Sequence, residues 1–101
     1  MEYIAIMDSP AGSIENMERV LAQIGPEPEG LIARYAGMVN GQLKVVGIWE
    51  SKAQADQFFA ERLGPALAKI LGPQTFAAAG PPPIMGIEAA HSYLRPSVTQ
   101  P

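Results

Sequence analysis

The chain has 101 residues, 48% of them hydrophobic and 17% charged, with a formal net charge of −3. That is material for a single domain, thinly stabilised unless a partner subunit adds buried surface. The lack of cysteine and the presence of only one histidine exclude disulfides, thiolate chemistry and multi-histidine metal centres, and the acidic balance offers no attraction to phosphate backbones or anionic lipid.

Glu2 to Met7 reads as a short strand, closed by the turn formers Asp8-Ser9-Pro10-Ala11-Gly12. Ser13 is the expected N-cap of a helix, with Glu15 in its first turn. Ile14, Met17, Leu21 and Ile24 recur at the helical period, and Gly25-Pro26 ends the run. Leu31 to Val39 and Leu43 to Glu50 are strand candidates joined through Asn40-Gly41, the pair that best tolerates both positive φ angles of a type I′ turn. Ser51-Lys52-Ala53-Gln54 matches a capping box. The helix it opens carries Ala55, Phe58, Phe59 and Leu63, and Gly64-Pro65 predicts a kink or two abutting helices before Ala66, Leu67, Ile70 and Leu71 continue the apolar face. Gln74 to Pro83 reads as a long return loop and Ile84 to Tyr93 as the last strand. Residues 1–95 thus form one domain and 96–101 a C-terminal tail.

The order strand, helix, strand, strand, helix, strand is the split βαβ pattern of an α+β, ferredoxin-like domain with a four-stranded antiparallel sheet. Its two helices can cover one face only, and the other should then be polar. It is not. In the third strand Leu43, Val45, Gly47 and Trp49 alternate with Lys44, Val46, Ile48 and Glu50, so both faces have apolar centres. In the second, Leu31, Ala33, Tyr35 and Gly37 alternate with Ile32, Arg34, Ala36 and Met38. A second copy of the sheet is the expected cover, giving a homodimer through the sheet face. An RNA-binding module shares the element order, but its central strands would display basic and aromatic side chains where this chain has Lys44-Val45-Val46-Gly47-Ile48. No apolar run approaches the roughly 20 residues of a membrane span, and Glu2 does not suit a signal-peptide start. A cytoplasmic protein, with neither nucleic acid nor membrane as partner, is the expectation.

The segments Gly30 to Tyr35 and Leu43 to Ser51, the run Ala55 to Leu67 and the ending Ala90-His91-Ser92-Tyr93-Leu94 together resemble the dimeric α+β barrel superfamily. More narrowly, they resemble its small antibiotic-biosynthesis-monooxygenase-like proteins. The resemblance implies two ferredoxin-like subunits joined sheet to sheet as a barrel, each keeping a pocket between sheet and helices. It also implies a choice of chemistries, including cofactor-independent oxygenation, cyclisation and isomerisation, because the scaffold carries over better than any one reaction.

His91 is the only side chain with an ordinary pKa near neutrality, which makes it the candidate proton shuttle. Arg34, on a face it shares with Ile32 and Ala36, is either a barrel-seam ion pair with Glu50 or Glu88 or a clamp for a substrate anion. Tyr35, Trp49 and Tyr93 suit the wall of a pocket for a flat organic ligand. Phosphate-binding loops, serine-hydrolase elbows, paired carboxylates and metal-ligand spacings are absent from the sequence, so no cofactor and no metal are expected. The leading expectation is a cofactor-independent enzyme acting on a small aromatic or polyketide-like compound, with His91 and Arg34 as its catalytic pair. The alternative is a non-enzymatic protein that binds a small ligand or serves homodimeric assembly.

Overall fold

The computed structural model describes residues 2–80 and 82–96. Its elements are strand β1 (Tyr3–Asp8), helix α1 (Ile14–Ile24), strands β2 (Leu31–Val39) and β3 (Gln42–Trp49), helix α2 (Lys52–Phe58), a π-helical turn (Phe59–Leu63), helices α3 (Gly64–Leu71) and α4 (Pro73–Ala79), and strand β4 (Ile84–Glu88). The strands form one antiparallel sheet in the order β2-β3-β1-β4. This α+β arrangement is compatible with a ferredoxin-like fold.

Local chemistry accounts for most of the boundaries. The Ser13 hydroxyl accepts the Asn16 amide at 3.1 Å, and the Ser51 hydroxyl accepts the Gln54 amide at 3.2 Å, each relieving an orphan N–H of a first helical turn. The second half of the capping box does not form: the Gln54 side chain instead accepts the Ser51 hydroxyl proton at 3.0 Å. Asn40 (φ 50°) and Gly41 (φ 81°) take the left-handed conformations that a type I′ hairpin requires.

Helices abut at Gly64-Pro65, as the sequence predicts, and three other features depart from the sequence reading. Pro65 has no N–H for the carbonyl four residues back, and the chain accommodates it through the wider turn Phe59–Leu63, where the Gly64 amide bonds the Phe59 carbonyl five residues earlier. Residues 74–79, expected as loop, are helical. Pro73 starts α4, three alanines favour it, Gly80 ends it, and Phe76 packs against the core. The last strand stops at Glu88 rather than Tyr93, opposite Tyr3 where β1 starts: the Ala89 amide bonds the Glu2 carbonyl, just ahead of β1, and His91 to Pro96 continue exposed. Of the expected tail 96–101, residues 97–101 lie outside the described residues.

The third departure is in β2. Its register with β3 shifts between Leu31 and Ala33, so Leu31 faces Trp49 while Arg34 faces Gly47. The bulge places Leu31, Arg34, Ala36 and Met38 on one face, where uninterrupted alternation puts Leu31 opposite the other three.

One face of the sheet carries the helices. Tyr3, Ala5, Met7 and Trp49 join Val20, Ala55, Phe58, Leu63, Ala66 and Leu67 in a continuous buried core. The other face is bare among the described residues and has two apolar rows. Ala33, Ile48, Ile4 and Ile87 form one, and Tyr35, Val46, Ile6 and Met85 the other. An Asp8–Lys44 ion pair lies beyond them on the same face.

On the helix side, the Tyr3 ring leans across β4 onto Gly86, where an added Cβ would overlap it. Gly86→Ala therefore forces a buried ring out of position. The expected loss is about 1–3 kcal/mol, enough to lower Tm by at least roughly 4 °C in a domain of this size. An unchanged thermal melt would contradict this seating of Tyr3.

Candidate functional site

The register of the helix-side rows explains why the core is not filled. One row reads Leu31, Trp49, Tyr3 and Glu88, and the next reads Arg34, Gly47, Ala5 and Gly86. Three of the last four are the smallest residues available, and they leave a trough across the centre of the sheet. Trp49 leans over it: an added Cβ on Gly47 would lie 2.7 Å from the indole Nε1. A glycine inside a strand marks this kind of close approach. The remaining gap is a cavity of about 50 Å³ between sheet and helices.

Three polar residues line this cavity, Ser9, Arg34 and Trp49, among otherwise apolar neighbours. Trp49 is 2% exposed and packs against Phe58 and Phe59 at ring-centroid distances of 5.3 and 6.0 Å. Its Nε1–H is buried without a hydrogen-bond partner. A buried donor in that state costs about 1–3 kcal/mol, and indole nitrogens normally find an acceptor. Arg34 occupies the strand position facing Gly47, the residue over which that nitrogen lies. Ser9 is buried, and its oxygen accepts the Ala11 amide at 3.2 Å. Indole and guanidinium are donors only, so what fits here presents an acceptor.

Arg34 is paired with neither Glu50 nor Glu88. Its Nη1 and Nη2 donate to the two carboxylate oxygens of Glu27 at 2.9 and 2.7 Å, a bidentate fork. Glu27 belongs to the α1–β2 loop, which Arg62 anchors by donating to the Ile24 and Pro26 carbonyls at 3.0 and 2.8 Å. The hydrogen bond from Arg34 holds the Glu27 carboxyl below its ordinary value of 4.5; burial opposes the shift, and the charges of Arg34 and Arg62 add to it. The pair's contribution to stability is therefore present above about pH 4.5 and lost as pH falls through the lower folded value. It is small, because the Glu27 side chain is 66% exposed.

The sequence-predicted residues divide into two groups. Arg34 and Trp49 meet at the cavity. Tyr35 sits on the opposite face of the sheet, level with Val46 and 68% exposed. His91 and Tyr93 lie beyond the end of β4, exposed, and do not line the cavity. Glu27 was missed by sequence reasoning. The one signal for it is proximity, seven residues from Arg34 across a Gly/Pro-rich loop. A wider apolar groove of about 580 Å³ lies outside, between the π-helical turn, α4 and Ile84, and holds none of the predicted site residues. Among the described residues no His, Cys, Asp or Glu cluster could hold a metal ion, and no helix is long and apolar enough to cross a membrane.

Comparison with known proteins adds the fold alone. No protein-family model matches the chain, and no curated protein shows significant similarity to it. Among solved structures, it is similar to the crystal structure of the NE2512 protein of unknown function from Nitrosomonas europaea. The identity is 17%, the TM-score 0.54, and the match covers 95% of this chain and 94% of the other.

Proposed function

We propose that the protein is a homodimeric small-molecule-binding domain, with each subunit holding its ligand in the cavity between sheet and helices. The unpartnered Trp49 Nε1, in a cavity that Arg34 also lines, carries this reading, since a bound acceptor would satisfy an otherwise orphaned donor. Binding is favoured over proton-transfer chemistry by what surrounds that donor. No carboxylate, imidazole or amine is among the described residues lining the cavity, and His91 lies elsewhere. The dimer rests on the two apolar rows of the bare face. Tyr35, Met85 and Ile87 there are 68%, 64% and 43% exposed, and a second sheet laid on them would form the barrel that the sequence resemblance implies.

Native mass spectrometry of the purified protein tests both parts. The expected spectrum shows a dimer, with a small molecule released on denaturation or accepted when a compact acceptor-bearing compound is added. A monomer at micromolar concentration that takes up no such compound would overturn the reading.

A further inference from the structure

The binding reading leaves the ligand's chemistry open, and the contents of the cavity narrow it. Arg34 already holds a carboxylate, and that carboxylate belongs to the protein's own loop. The Arg34 side chain is 18% exposed and the Glu27 side chain 66%, so the arginine stem is largely covered where it lines the cavity while its fork with Glu27 stands at the exposed mouth. Glu27 satisfies the guanidinium fork but leaves the indole N–H without an acceptor. A free carboxylate entering the cavity can meet both donors, one oxygen on Arg34 and the other on Trp49. It gains a hydrogen bond that Glu27 does not make.

Charge and size limit the choice further. Replacing one monoanion with another keeps Arg34 neutralised, whereas a dianion would leave a net charge among Met7, Leu21, Leu63 and Leu67. A cavity of about 50 Å³ has room for on the order of four water molecules. That suits a carboxylate with a tail of two or three carbons.

Resting on the binding reading above, we propose that the ligand is a short-chain monocarboxylate that displaces Glu27 from Arg34 and accepts the Trp49 indole proton. Glu27 is then a built-in competitor. Its release returns a hydrated carboxylate to the surface, and the loop between Gly25 and Gly30 loses its side-chain tie to β2, keeping the backbone bond from the Leu31 amide to the Pro28 carbonyl.

The test uses the indole N–H resonance of Trp49, the only tryptophan, in the full-length protein. Propionate and its neutral counterpart propionamide are titrated into wild type and Glu27→Ala, a substitution at an exposed side chain. The expected result is a saturable indole shift with propionate, none with propionamide at equal concentration, and roughly tenfold tighter propionate binding in Glu27→Ala. Propionamide shifting the indole as well as propionate does, or an unchanged propionate affinity in Glu27→Ala, would overturn the carboxylate assignment and leave the binding reading standing. No indole shift with either compound in either protein would overturn both.

Discussion

Val46→Asp is expected to yield a folded monomer where the proposed sheet-to-sheet dimer forms in the wild type. Val46 lies in the centre of the bare face, between Tyr35 on one neighbouring strand and Ile6 on the other. It is not part of the helix-side core, so the subunit's own packing does not depend on it. In the proposed sheet-to-sheet dimer the new carboxylate would be stripped of water with no cation opposite, a penalty of several kcal/mol. Each 1.4 kcal/mol is a factor of ten, so the dissociation constant should rise by at least about a hundredfold. Sedimentation velocity at matched concentrations reads the change, and circular dichroism checks that the fold persists. A variant that remains dimeric would place the interface elsewhere.

The second large effect concerns Trp49, where two substitutions separate packing from hydrogen bonding. Trp49→Ala removes the largest side chain of the core from between Phe58 and Phe59. The expected loss is about 3–5 kcal/mol, much of the net stability of a small domain, and the protein should be largely unfolded at moderate urea. Trp49→Phe keeps the aromatic contact and deletes the orphan N–H. Relief of that unpaired donor, about 1–3 kcal/mol, offsets much of the lost volume, so its urea midpoint should stay close to wild type while ligand affinity falls. Equal destabilisation by the two changes would show that the nitrogen carries no penalty, and the cavity would lose its strongest claim to be a binding site.

The residues that announced themselves in the sequence are those whose structure is set by neighbours a few positions away. Asn40-Gly41 dictates a turn, Ser13 and Ser51 each cap a helix, and the alternation in β3 separates its two faces correctly because that strand is uninterrupted. Most of what escaped depends on distant partners. Nothing near Tyr93 says that β1 starts at Tyr3 and that its ladder with the last strand closes at Glu88. The helical character of Gln74 to Ala79 comes from alanine propensity and the packing of Phe76, and the surrounding prolines and glycines masked both. At the site, Trp49 was legible as a buried aromatic ring and Arg34 as a cation needing a partner. Their meeting was not legible, because it depends on Gly47 being small beneath the indole and on the phase of β2.

That phase has a consequence for aligning this chain with relatives. Ile32 is one residue more than a regular ladder requires: without it, Leu31 would still face Trp49 and Arg34 would still face Gly47. A gap at Ile32 in a related chain is therefore neutral for the site. A gap between Arg34 and the hairpin at Asn40 would carry the guanidinium to the opposite face, away from the indole, even where an arginine still aligns. The position of an indel along β2, more than the identity of the aligned residue, separates relatives that keep this donor pair from those that have lost it.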